Sequence, residues 1–241
     1  MYPGIYATAH FPESLRGDPL FDELSGNRGL PDLICRWLSS CSPPDTGAGC
    51  ALDAGCGPGG LLECAGKFVR GGVVGFDLRL SALRVAGKIA AGGGYVPFRT
   101  EGNRFEPVWI SRPAQARWCL VQGDIVSPPF EAEVFPLVIA ASLLDSVPDP
   151  WFVLGQLDAL ACHGGLLLLA TPYHWEPGIT VAKDWINGDM LRDALRGRGP
   201  SLPHLNYEIV QEEPRLPWAL AGHLRLVHRY YLDVILARKC S

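Results

Sequence analysis

The chain has 241 residues, 48% of them hydrophobic and 19% charged, with a formal net charge of −4. That balance is globular rather than disordered. The length suits one large α/β domain spanning residues 1–241, and the charge gives no long-range attraction to nucleic acid or an anionic membrane. The eight cysteines contain no C-x-x-C pair, which argues against a zinc ribbon or redox motif. The apolar runs are too short for a bilayer. The start, Met1-Tyr2-Pro3-Gly4-Ile5-Tyr6, lacks the regions of a secretory signal. A cytoplasmic protein with reduced thiols is expected, and no metal site.

Residues 1–29 read as an irregular leader, with Tyr2, Tyr6, His10, Phe11 and Phe21 available for burial or for service as a lid. Pro31 to Ser40 reads as a helix with proline in its first turn. The break at 42–47 leads to a first strand ending in Leu52-Asp53-Ala54-Gly55-Cys56-Gly57-Pro58-Gly59-Gly60. The glycines permit backbone angles closed to other residues and let a ligand approach the main chain. A helix over Leu61 to Phe68 follows, then a second strand, Gly72 to Asp77, at βαβ spacing. Ser81 is expected to cap the next helix, whose stripe is Leu83, Ala86 and Ile89.

Residues 92–117 depart from the alternating rhythm and read as an inserted hairpin or loop around Gly102-Asn103. The third strand, from Trp118, ends at Asp124. The fourth, Leu137 to Ala141, leads into Ser142-Leu143-Leu144-Asp145-Ser146. A helix over Pro150 to Leu160 precedes the fifth strand, Leu166 to Thr171. Beyond the aromatic loop Pro172-Tyr173-His174-Trp175-Glu176-Pro177 lies mostly loop, with a short helix near Asp189 to Arg196. The last strands, Tyr207 to Glu213 and Tyr230 to Arg238, are expected to pair antiparallel at the sheet edge. The fold class is a Rossmann-like, mostly parallel seven-stranded sheet with helices on both faces.

Three strand ends therefore carry carboxylates: Asp53, Asp77 and Asp124. Gly55-x-Gly57-x-x-Gly60 also fits a nicotinamide dinucleotide fingerprint. A dinucleotide would set its pyrophosphate on this turn, where Asp53 would repel it. A phosphate-free cation would instead be attracted.

With these residues the chain resembles the class I S-adenosylmethionine-dependent methyltransferases over roughly residues 30–240. The resemblance implies S-adenosylmethionine as cofactor and S-adenosylhomocysteine as product. It implies that Asp77 holds the ribose hydroxyls, and that Asp124 and the Ile125 amide meet the adenine. Gly55 and Gly57 would let the methionine portion lie on the turn, with Ala141 and Ser142 bordering its end. Asp53, Cys56, Gly59 and Leu78 complete the expected cofactor set. A shorter stretch, Ala170 to Trp175 followed by Lys183 to Gly188, resembles the loop after strand five in the methyltransferase domain of ovothiol-biosynthesis enzymes.

The expected reaction is methyl transfer to N, O or S of a small molecule, with Tyr173 and His174 as acceptor-site residues. A histidine at this place can take a proton from the nucleophile or merely shape the loop. Trp109, Tyr173, Trp175, Trp185 and Trp218 can pack or can enclose a substrate. The alternatives are a non-catalytic cofactor-binding partner or regulatory subunit, and a peptide or protein methyltransferase. The sequence after strand four, Ala141-Ser142-Leu143-Leu144, carries no N-P-P-Y-type motif for nucleic-acid bases.

Overall fold

The computed structural model describes residues 3–42, 49–111, 116–199 and 201–240. Positions 43–47 of the expected helix break and 112–115 of the insertion lie outside them. The leader forms α1 (Pro3–His10) and α2 (Leu20–Ser25), followed by α3 (Gly29–Ser39). Then come β1 (Ala51–Ala54), α4 (Leu62–Phe68), β2 (Val73–Asp77) and α5 (Leu80–Ala90). The insertion is β3 (Gly94–Glu101) and β4 (Arg104–Ile110). β5 (Trp118–Gln122), β6 (Phe135–Ala141), α6 (Pro150–Leu160), β7 (Ala161–Thr171) and α7 (Gly188–Leu195) follow. The described chain closes with β8 (Tyr207–His223) and β9 (Leu226–Lys239).

Seven strands make one sheet in the order β5-β2-β1-β6-β7-β9-β8. The first five of these are parallel; β9 pairs antiparallel with β7, and β8 pairs antiparallel with β9. The expected architecture is thus the observed one. Central strands are covered on both faces, so they read as continuous apolar runs. On β6 and β7 alternate side chains feed two cores. Val138, Ala140, Leu167 and Leu169 meet Leu154 and Leu157 of α6. Leu137, Ile139, Leu166 and Leu168 share the opposite core with Leu30 and Ile34 of α3 and Leu62 of α4. The strand order reverses between β1 and β6, which opens a crevice at their carboxyl ends where α/β sheets bind ligands.

Four expectations need correction. The leader is helical rather than irregular: Ala7, Phe11, Leu15, Leu20 and Leu24 are buried, and the large side chains among them contribute about 1.5–3 kcal/mol each on full burial. Ser81 does not cap α5, which begins one residue earlier behind Arg79 without a side-chain cap. β8 runs on to His223, past Pro214 and Pro217, through register shifts that let an edge strand carry proline. The thiols are not all free, because Cys35 of α3 and Cys64 of α4 form a disulfide.

The hairpin expectation holds. β3 and β4 pair antiparallel as a separate two-stranded sheet. Its Val96 and Ile110 join Ala7 and Phe11 of the leader and Val85 and Ile89 of α5 in a third apolar cluster. The hairpin therefore clasps α1 against the sheet domain. Among the described residues, no helix is long and apolar enough to cross a membrane.

Candidate functional site

β1 delivers Asp53 into the interior, where it is 2% exposed. The chain then turns through Gly55, Gly57 and Gly59, at φ +73°, +53° and +90°. These left-handed conformations favour glycine over residues with a Cβ. The turn is fixed to β2 by the Gly55 N–H, which donates to the Phe76 carbonyl at 2.7 Å, and by the Cys56 N–H at 3.1 Å. A Cβ on Gly57 would meet nothing within 4 Å, so this part of the turn faces open space.

Asp77 ends β2 beside the turn. Its Oδ2 accepts the Gly57 N–H and its Oδ1 accepts the Arg79 N–H, both at 2.8 Å. Burial, and secondarily the nearby Asp77, push the Asp53 carboxyl up to about 7. The Cys56 thiol is pushed well up by burial and by the same two carboxylates, so it is held as the neutral thiol. Two carboxylates at a glycine turn make a poor seat for pyrophosphate and a good one for a positive group. Leu78, next to Asp77, is 62% exposed. Farther along the edge, Asp124 is exposed and accepts the Val126 N–H at 3.0 Å, while Ile125 beside it is buried.

The other side of the crevice starts where β6 ends, at Ala141. Ser142 takes φ +52° while its N–H donates to the Ala170 carbonyl at 2.7 Å. Leu143 then packs toward Gly55, where a Cβ would stand 3.0 Å from Leu143 Cδ1. Tyr173, beyond β7, also sits in the left-handed region, at φ +53°. Two non-glycine residues with positive φ at adjacent strand ends are uncommon, and such strain collects at functional sites.

The Tyr173 hydroxyl donates to Asp233 Oδ2 at 2.7 Å. Asp233 is gripped in turn by both terminal nitrogens of Arg192, at 2.8 Å each, and Arg192 Nε donates to Glu212. Burial and the Asp233 hydrogen bond raise the Tyr173 pKa far above that of a free tyrosine. Tyr173 therefore presents a neutral phenol. His174 is exposed; its backbone N–H donates to Asp145 Oδ2 at 3.3 Å and its ring meets Tyr230 edge-on at 5.4 Å.

The five loop aromatics do not converge. Trp109 pairs with Tyr95 on the hairpin, Trp218 packs on His10, and the Trp185 indole N–H donates to the Thr180 carbonyl. Asp145, given no role in the sequence analysis, is buried against the loop after β7, where it accepts the His174 N–H; its position three residues after Ser142 was the one available signal. The leader also reaches the glycine turn, since a Cβ on Gly60 would collide with the His10 ring. Surface hollows of about 270 Å³ lie elsewhere, one between the leader and β8–β9 and one beside the disulfide. The chemistry-bearing residues gather at the sheet's carboxyl edge rather than at those hollows.

The sequence matches the methyltransferase domain family over residues 27–228. The chain belongs to that family. Solved structures agree on the fold. Magnesium protoporphyrin IX methyltransferase from Synechocystis PCC 6803, solved with bound S-adenosylmethionine, is 17% identical, with 90% of this chain and 82% of that one covered at TM-score 0.51. A S-adenosylmethionine-dependent methyltransferase from Methanosarcina mazei is 18% identical, covering 80% and 92% at TM-score 0.51. The [4+2]-cyclase SpnF is 14% identical, covering 89% and 81% at TM-score 0.54. No curated protein matches the sequence. The chain is a class I methyltransferase with S-adenosylmethionine as its cofactor.

Proposed function

We propose that this methyltransferase acts on N, O or S of a small molecule seated at the carboxyl ends of β6 and β7. The observation that carries the reading is the pair of left-handed residues, Ser142 and Tyr173, which turn both strand ends around one place beside the glycine turn. S-adenosylmethionine, when bound, supplies a methyl group on an electrophilic sulfonium. Asp77, joined by Asp53 in its ionised form, gives the turn a charge that suits that cation, and the space above Gly57 suits close approach. In this assignment Asp77 exchanges its Gly57 and Arg79 backbone partners for the ribose hydroxyls. The exposed Leu78 offers an apolar face to adenine, Asp124 and the Ile125 amide read its edge, and Gly55, Cys56 and Gly59 shape the seat of the methionine portion. Ala141 and Ser142 bound its reactive end.

The chain's main contribution is alignment. Holding the nucleophile near the methyl in a protected pocket replaces an improbable encounter in water with a positioned one. Tyr173, tied to Asp233, is a rigid donor at the acceptor side, and His174 is placed to take a proton where the nucleophile requires it. α1 serves as a lid over the glycine turn.

The test is an assay with S-adenosylmethionine tritiated on the methyl group, offered to a metabolite extract and separately to a peptide digest. Label in metabolites is the expected result. Label confined to peptides would replace the small-molecule reading with peptide methylation.

A further inference from the structure

Asp145 is 7% exposed, yet its Oδ1 has no hydrogen-bond partner. Leaving a buried carboxylate oxygen unsatisfied costs free energy, and the neighbours here do not repair it. The other oxygen, Oδ2, accepts a long 3.3 Å bond from the His174 N–H. Burial pushes the Asp145 carboxyl up to about 6, and its own backbone N–H and then the His174 contacts only partly offset this.

The surroundings come from several parts of the fold. Tyr6 arrives on α1, His174 and Glu176 on the loop after β7, and Tyr230 on β9. Burial is the main cause raising the Tyr6 and Tyr230 hydroxyls, and both Asp145 and Glu176 add to it through their charge. Arg79 opposes this at Tyr6. Two carboxylates and two phenol rings thus share one neighbourhood, next to Ser142 and Tyr173. Carboxylate charge and aromatic faces both favour a cation and disfavour an anionic acceptor.

We propose that the acceptor is a small amine, and that its N–H group is received by Asp145 Oδ1 in the neighbourhood of Tyr6 and Tyr230. This rests on the small-molecule reading above and narrows it to a substrate class. Asp145 is a binding residue in this scheme: it holds the amine as the ammonium and takes its proton before methylation, which frees the lone pair that methyl transfer needs. Its ionised form accepts the amine hydrogen, so amine binding weakens as pH falls through about 6.

Calorimetry with S-adenosylhomocysteine present tests the proposal, using tyramine and tryptamine against 4-hydroxyphenylacetate and indole-3-acetate. The amines are expected to bind, the carboxylates at least about tenfold more weakly. Asp145→Asn keeps the shape of the side chain and removes its charge. It is expected to lose about tenfold or more in amine affinity while its melting temperature holds, and to abolish the pH dependence. The pH dependence of the wild-type protein provides the same test should the variant fold poorly. Equal binding of both sets, or unchanged amine binding in Asp145→Asn, would overturn the proposal. A parallel tritium assay with amines, phenols and thiols separates the two levels: labelled phenols or thiols without labelled amines refutes only the amine, and no labelled small molecule refutes the reading beneath it.

Discussion

Asp77 stands where β2, the glycine turn and the expected ribose meet. Its carboxylate holds the Gly57 and Arg79 N–H groups, and charge-assisted bonds of this kind contribute about 1.5–3 kcal/mol each. Asp77→Ala is therefore expected to weaken S-adenosylmethionine binding by more than about tenfold in calorimetry, with a folded circular-dichroism spectrum retained. Asp53 makes a prediction about pH. Its folded carboxyl lies at about 7 against an ordinary 3.8. The folded chain keeps a proton that the unfolded chain loses, so this group costs stability as pH rises between those values, and the cost is complete above about 7. A bound cation favours the ionised form. S-adenosylmethionine affinity should then fall as pH drops below about 7, and Asp53→Asn should flatten the profile. For His174, turnover of His174→Ala that matches the wild type at every pH would remove it as a base. The strand-end carboxylates were legible in the sequence because each closes an apolar run. Asp145 was not, because its meaning depends on Tyr6 and Tyr230, which are distant in the chain.

The leader and the inserted hairpin act together. Gly4 of α1 lies so close to β3 that a Cβ there would collide with the Pro97 carbonyl oxygen. Gly4→Ala should cost about 1–3 kcal/mol, as forced overpacking does, and should expose the leader to limited proteolysis before the rest of the chain. Burial alone lowers the His10 pKa to about 4 from 6.5. The unfolded chain takes up this proton first, so the stability from neutral His10 is lost as pH falls from about 6.5 to about 4. Comparing urea midpoints of wild type and His10→Phe should show their difference changing across that window. Gly102-Asn103 announced the hairpin as a turn between two β-prone runs. The helical leader was hidden because its apolar residues face three partners (β3, α5 and β8) and so lack a single clean stripe. The length of β8 was hidden by Pro214 and Pro217, which mark a break unless the strand lies at an edge.

Across the whole molecule, the sheet order places the glycine turn and Ser142 on either side of one crevice, with the antiparallel β9–β8 pair closing the side beyond β7. That side is tied together by Asp233, which bonds Tyr173 and Arg192 and so joins β9 to the loop after β7 and to α7. Removing one partner of a buried ion pair leaves the other uncompensated. Because Arg192 keeps Glu212 as a partner, Asp233→Ala is expected to lower unfolding free energy by about 1–3 kcal/mol in urea titrations. The sheet, the glycine turn and the carboxylates beside it could be read from short patterns because strand, turn and charge are local. The pocket proposed for the acceptor could not, because it is assembled from residues as far apart as Tyr6 and Asp233. The central claim is that the glycine turn receives a cationic, phosphate-free cofactor through Asp53 and Asp77. Calorimetric titration with S-adenosylmethionine and, separately, with a nicotinamide dinucleotide tests it most directly. Saturable binding of S-adenosylmethionine that weakens sharply in Asp77→Ala, with no binding of the dinucleotide, is the predicted result. Dinucleotide binding, or S-adenosylmethionine binding indifferent to Asp77, would contradict it.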